Sequence, residues 1–236
     1  MNGAFAEERQ KEARNTQIEK IRAVTFDVGG TLIECWPSVG HIYAEVAARY
    51  GARPLSPIVL NRRFKRAWKA FKNFGHTAAD WSALVDATFC GLIEIVPSQT
   101  FFPQLFERFS EPDAWHIFED VLPALTALKS RGLKLGIISN WDERLRLLLA
   151  KLNLAGYFES IIISCEAGVR KPAARIFNSA CAALGTERAQ TLHVGDSREM
   201  DLDGARAAGL QALWLRRELR RSARLKIRSL RDLDKI

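Results

Sequence analysis

The sequence predicts an α/β protein, a doubly wound parallel sheet with a block of helices inserted after its first strand. Three observations carry that expectation. Short apolar runs alternate with segments of helical period between residues 121 and 215, the trace that a parallel sheet with helices on both faces leaves in a chain. A matching run, Ile21–Asp27, stands far upstream. Between them, residues 37–112 show helical spacing and no strand pattern.

Each element has a local reason. Ile21–Asp27 is apolar, partly β-branched and closed by Gly29 and Gly30, so it reads as a buried strand. Apolar residues then recur at helical spacing in His41–Tyr50, Ile58–Phe74, Trp81–Ile95 and Phe101–Phe109. Pro54, Pro57, Gly75, Pro97 and Pro103 punctuate these helices. Downstream, helix Val121–Ser130 leads to strand Leu133–Ser139, and helix Asp142–Leu152 to strand Ser160–Ser164. Helix Ala173–Leu184 precedes strand Thr191–Gly195, and helix Glu199–Ala208 precedes strand Gln211–Leu215. The expected organisation is an N-terminal extension over 1–20, a core from 21–36 and 113–236, and a helical block over 37–112.

Composition narrows the function. Of 236 residues, 47% are hydrophobic, which suits a globular core. No apolar run approaches the ~18–20 residues of a membrane span, so no membrane partner is expected. Glu7–Lys20 is charged and lacks the apolar stretch of a signal peptide. Cys35, Cys90, Cys165 and Cys181 form no C-x-x-C pair. That argues against zinc or redox chemistry and for reduced thiols in a cytoplasmic protein. The net charge is +8, with eight basic residues between Arg216 and Arg231. That run reads as a solvated surface; nucleic acid stays open as a partner, although no aromatic residue interleaves to stack on bases. No face reads as an oligomer interface.

In open α/β sheets, ligands bind beyond the carboxyl ends of the strands. Asp27, Ser139 and Asp196 all stand at such ends. Four pieces follow in order: Asp27-Val28-Gly29-Gly30-Thr31, Ser139-Asn140, Lys171-Pro172, and Gly195-Asp196 with Asp201 beyond. Singly, each has an ordinary explanation: a turn aspartate, a helix cap, a surface lysine, an acid favoured by a helix dipole. As an ordered set, they resemble the haloacid dehalogenase superfamily, mostly phosphatases with a Rossmann-like core. The resemblance covers roughly residues 21–236, and the helical block is similar to the cap of one branch. It implies a small phosphorylated substrate and an acyl phosphate formed on Asp27. It also implies Mg²⁺ on Asp27, the Gly29 carbonyl and Asp196, with Asp201 orienting a water on that ion. Lys171 would neutralise nucleophile and phosphate. Ser139, Asn140, Thr31 and the amides of the Val28–Thr31 turn would hold phosphate oxygens.

One position departs from that pattern. The phosphatases carry a second aspartate two residues after the nucleophile, as general acid and base; here it is Gly29. Such a group contributes ~10²–10⁴-fold. Three readings follow. The protein is a Mg²⁺-dependent hydrolase that recruits another acid, such as Glu34 or His41, or acts on a substrate with a good leaving group. Alternatively it binds phosphate without turnover. As a third reading it is a 2-haloacid dehalogenase, relatives of which also lack that aspartate. Retention of Asp196 and Asp201 favours the first. Trp68, Phe71, Phe74 and Trp81 read first as packing, in the block where substrate contacts are expected.

Overall fold

The computed structural model describes residues 20–71, 74–223 and 225–235. The expected N-terminal extension, apart from Lys20, and Arg224 of the basic run lie outside the described residues.

Strand β1 (Ala23–Phe26) is followed by a short strand β2 (Ile33–Cys35). Four helices come next: α1 (Val39–Arg49), α2 (Pro57–Ala70), α3 (Ala78–Phe89) and α4 (Phe102–Arg108). The chain returns through β3 (Trp115–Ile117) to α5 (Val121–Ser130), β4 (Lys134–Ser139) and α6 (Arg144–Lys151). It continues with β5 (Ser160–Ile163), a short α7 (Ser164–Ala167), α8 (Ala174–Leu184) and β6 (Thr191–Gly195). A π-helical turn, Arg198–Asp203, runs into α9 (Gly204–Ala207), and β7 (Gln211–Leu215) and β8 (Lys226–Ile227) complete the strands. A 3₁₀ segment, Leu230–Lys235, follows.

The main sheet has the order β5-β4-β1-β6-β7-β8, parallel throughout. β1 lies at its centre, with Phe26 opposite Ile137 of β4 and Val194 of β6. Every residue of β1 and β6 is buried, as expected for strands covered on both faces. Side-chain alternation sorts the covering layers. Val24, Phe26, Leu192 and Val194 pack with Leu125 and Leu128 of α5 and Leu148 of α6. On the other face, Ile138 and Ala212 pack with Ile176 and Phe177 of α8 and Ala205 of α9. β1 is flanked by strands reached in opposite directions, so a crevice opens at the carboxyl ends of β4, β1 and β6.

The expected alternation of strands and helices is present, with two differences. Residues 33–35 and 115–117 form an antiparallel ribbon, Glu34 opposite His116, which three-residue strands do not announce in a sequence. Both passages of chain to and from the helices run through it. The helices α1–α4 pack around their own cluster, with Tyr43, Leu60, Phe89 and Leu105 at its centre. The second difference lies in the basic run, expected as a solvated loop and helix face. Lys226–Ile227 is instead the sixth strand of the sheet. Leu230 and Leu233 are fully buried in the core cluster, where their segment packs on α5.

Candidate active site at the carboxyl edge of the sheet

β1 delivers Asp27 to the crevice, and its amide extends the ladder by donating to Val194 O at 3.0 Å. Ser139, the last residue of β4, donates to Asp27 Oδ1 at 3.1 Å. Lys171 Nζ donates to Asp27 Oδ1 at 2.7 Å and to Asp201 Oδ1 at 2.6 Å. Lys171 is only 2% exposed, so its ammonium is set by these carboxylates rather than by water. Asn140 grips the lysine's backbone from both sides: Lys171 N donates to its Oδ1 at 2.8 Å, and its Nδ2 donates to Lys171 O at 3.1 Å. Asn140 therefore positions the lysine, with both ends of its amide engaged there.

Asp201 is held on three sides. Besides Lys171, its Oδ2 accepts from Ser197 N at 2.9 Å, and its Oδ1 lies 3.1 Å from His193 Nε2. Ser197 returns a cap, its hydroxyl accepting from Met200 N at 3.2 Å. His193 had no signal beyond a polar residue in an apolar strand. It is fully buried on β6, with Nδ1 3.0 Å from Thr25 Oγ1 of β1, and so links the central strand to Asp201. Gly195 is required where β6 passes this carboxylate, because a Cβ there would overlap the Asp201 side chain.

Asp27, Asp196 and Asp201 each offer a carboxylate oxygen within 4.8 Å of the others. Three carboxylates face one ammonium, leaving net negative charge in a confined site. Burial is the largest influence on Asp27 and raises its pKa, with Asp201 adding to it and Lys171 opposing. Asp196 keeps solvent access, yet the surrounding crevice wall, then Asp27 and Asp201, push it up to about 7. Burial would raise Asp201 too, but Lys171 and His193 outweigh it and hold this carboxyl well below the usual range. Burial alone would lower Lys171, and the two aspartates outweigh it, so the ammonium stays charged. Asp27 and Asp196 resist ionisation until more positive charge arrives, which fits a hard divalent cation.

The phosphate turn is narrower than expected. The Gly30 and Thr31 amides donate inward, to Ile33 O and Val28 O, and the Val28 amide bonds the Asp27 carboxyl, leaving Gly29 as its remaining donor. Gly30 has φ +76°, and a Cβ there would lie 2.5 Å from Asp196 Oδ2. Thr31 is fully buried and is not part of the cavity wall; its hydroxyl has no partner and its carbonyl accepts from Arg217 Nη2 at 2.7 Å.

Gly29 is explained by its neighbour. A Cβ at Gly29 would lie 3.2 Å from Trp141 Cζ3, so an indole from the β4–α6 loop stands where a longer side chain would rise. Of the two alternative acids, Glu34 lines the cavity and has His116 Nδ1 at 3.5 Å. His41 is exposed, bonded to Ser38 Oγ at 2.8 Å, and is not part of the cavity wall.

The crevice continues into a cavity of about 710 Å³ between the sheet edge and the helices. Trp68, Phe74 and Trp81 form one wall, with ring centroids 4.7–5.7 Å apart. His76, at φ 62°, closes that wall; burial lowers its pKa to about 4 and its Nδ1 has no partner. Core residues hold the wall: Trp81 Nε1 donates to Asp142 Oδ2 at 2.9 Å, and Arg170 Nη1 to Phe74 O at 2.5 Å.

Known proteins agree with this architecture. The haloacid dehalogenase-like hydrolase family model matches residues 21–209. A bovine (Bos taurus) protein, haloacid dehalogenase-like hydrolase domain-containing protein 3, is 34% identical over 204 residues, 82% of this chain and 81% of its own length. A HAD phosphatase structure from Thermococcus onnurineus superposes with a TM-score of 0.67 at 26% identity, over 91% of this chain and 97% of that one. The 2-haloacid dehalogenase of Pseudomonas syringae pv. Tomato DC3000 shares the fold, with a TM-score of 0.63 at 24% identity over 91% and 97% of the two chains. With the family's four motifs brought to one sheet edge, this chain belongs to the haloacid dehalogenase-like hydrolases.

Proposed function

We propose that this protein is a Mg²⁺-dependent phosphatase acting on a small phosphorylated compound through an aspartyl phosphate on Asp27. One observation carries the reading: Asp27, Ser139, Lys171 and Asp201 are joined by direct hydrogen bonds at the end of the central strands, with Asp196 beside them. A phosphatase is also among the chain's structural relatives. Asp27 attacks phosphorus, and the ester oxygen leaves with its electron pair. Water then cleaves the acyl phosphate and restores the carboxylate. Lys171 offsets the negative charge of nucleophile and phosphate, and Ser139 orients Asp27. Asp27, Asp196 and the Gly29 carbonyl would hold Mg²⁺, with Asp201 beside them; when bound it neutralises charge on the phosphoryl oxygens.

A second reading is favoured by the indole beside Gly29, which crowds any acid placed there: a phosphate-binding module with little turnover. The dehalogenase reading draws on the shared fold and the missing second aspartate, and has no use for the acidic cluster. Acetyl phosphate, which needs no acid to expel its leaving group, separates these. Phosphate release that requires Mg²⁺ and drops at least 10³-fold in Asp27→Asn is expected. Undiminished release by Asp27→Asn would refute the nucleophile. No release, together with a melting temperature raised by Mg²⁺ and phosphate, would establish the binding module.

A further inference from the structure

The cavity above the carboxylates has a composition that the catalytic residues do not explain. Trp68 leaves 40% of its surface exposed while lining the cavity, although Phe64, Phe74 and Trp81 pack around its ring. An exposed indole inside a chamber is an apolar surface prepared for something that comes from outside. The wall is also uncharged at neutral pH, because His76 is the one titratable ring in it and burial keeps that ring neutral. The cavity's arginines are engaged: Arg144 with Asp142 and Phe106 O, Arg170 with Phe74 O. A second anionic group would meet Arg144 already paired with Asp142.

The wall is tied to the reacting centre. Arg170, which holds Phe74, directly precedes Lys171 in the chain. Asp142, which holds Trp81, directly follows the Trp141 that stands over Gly29. The aromatic wall, Asp27 and Lys171 line one cavity.

We infer that the substrate is an aryl phosphate, whose aromatic leaving group packs against Trp68, Phe74 and Trp81 and departs as a phenolate without a proton donor. This rests on the phosphatase reading and deepens it. Phenols have a pKa of about 10, against about 15.7 for water, a guide to alkyl alcohols. The P–O bond to a phenol breaks with the charge delocalised into the ring, so Gly29 costs little in the step that forms the aspartyl phosphate. With an alkyl ester the same step would need the proton that Gly29 cannot supply. Asp27 takes the phosphoryl group, the phenolate collects its proton from solvent, and water regenerates Asp27 with release of phosphate.

The test compares phenyl phosphate, glycerol phosphate and acetyl phosphate as substrates of the full chain with Mg²⁺. Phenyl phosphate is expected to exceed glycerol phosphate at least 100-fold in kcat/KM. Trp68→Ala is expected to lower kcat/KM for phenyl phosphate at least tenfold more than for acetyl phosphate, mainly through KM. Trp68→Leu, which retains apolar volume, serves if the alanine variant melts early. Comparable rates on phenyl and glycerol phosphate, or equal losses on phenyl and acetyl phosphate in the Trp68 variants, would overturn the inference and leave the phosphatase reading standing. No Asp27-dependent turnover of any of the three would remove the phosphatase reading and this inference with it.

Discussion

At the scale of single residues, the pairing of Gly29 with Trp141 decides most. The glycine's φ lies outside the left-handed region, so the backbone would accept an aspartate; at 3.2 Å, Trp141 would have to shift to admit its side chain. Gly29→Asp alone is therefore expected to leave glycerol phosphate turnover within a few-fold of the parent. Combined with Trp141→Ala, the new carboxyl gains space, and an increase of ~10²-fold is expected from a general acid. Steady-state kinetics on both variants checks this; a full gain from the single substitution would show that the indole yields freely. His193 makes the complementary point. A buried neutral imidazole between Thr25 and Asp201 is a positioning residue, and nothing local distinguishes it from a core histidine.

At the scale of elements, the C-terminal segment is anchored through one carboxylate. Asp120 precedes α5 and accepts from Arg217 Nη1 at 2.8 Å, Ser229 Oγ at 2.8 Å and Leu230 N at 2.8 Å. Arg217 also stacks on Phe118, its guanidinium carbon 3.8 Å from the ring centroid. Burial alone would raise the Asp120 pKa, but Arg217, the Leu230 amide and Ser229 outweigh it and hold it below the usual carboxylate range. A depressed folded-state pKa stabilises fully above the unfolded value near 3.9 and loses that contribution as pH falls through the folded value. Asp120→Asn is expected to cost about 2 kcal/mol near neutral pH, and the gap to the parent should narrow below about pH 4. Urea titrations at pH 7 and pH 3 check the sign. Among the basic residues of this stretch, Arg217 thus works inside the fold, while Arg220, Arg221, Arg228 and Arg231 stay exposed.

At the scale of the whole molecule, two units with separate apolar clusters are joined by the β2–β3 ribbon and by bonds around the cavity. Among the described residues, no helix is long and apolar enough to cross a membrane. Trp81 belongs to both units: α3, opened by the Thr77–Asp80 capping box, carries it, and Asp142 of the core accepts its hydrogen bond. Trp81→Phe keeps the ring and deletes the donor. Because Arg144 still satisfies Asp142, the expected cost is about 1 kcal/mol. It should appear as faster amide exchange in residues 78–89 with little change in the sheet. Uniformly faster exchange in both would show that the bond serves global stability instead.

Local pattern alone was enough to show the alternating core, the inserted helices and the residues that end each central strand. Strand and helix periods repeat within ten residues, and a ligand crevice follows from strand direction. The same pattern could not show that Lys171 is buried between Asp27 and Asp201, 144 and 30 residues away. Nor could it show that Trp141 stands over Gly29, that His193 supports Asp201, or that Lys226–Ile227 joins the sheet. Those facts depend on which distant segments meet, and hydrophobic periodicity records only which face of an element is covered, not what covers it.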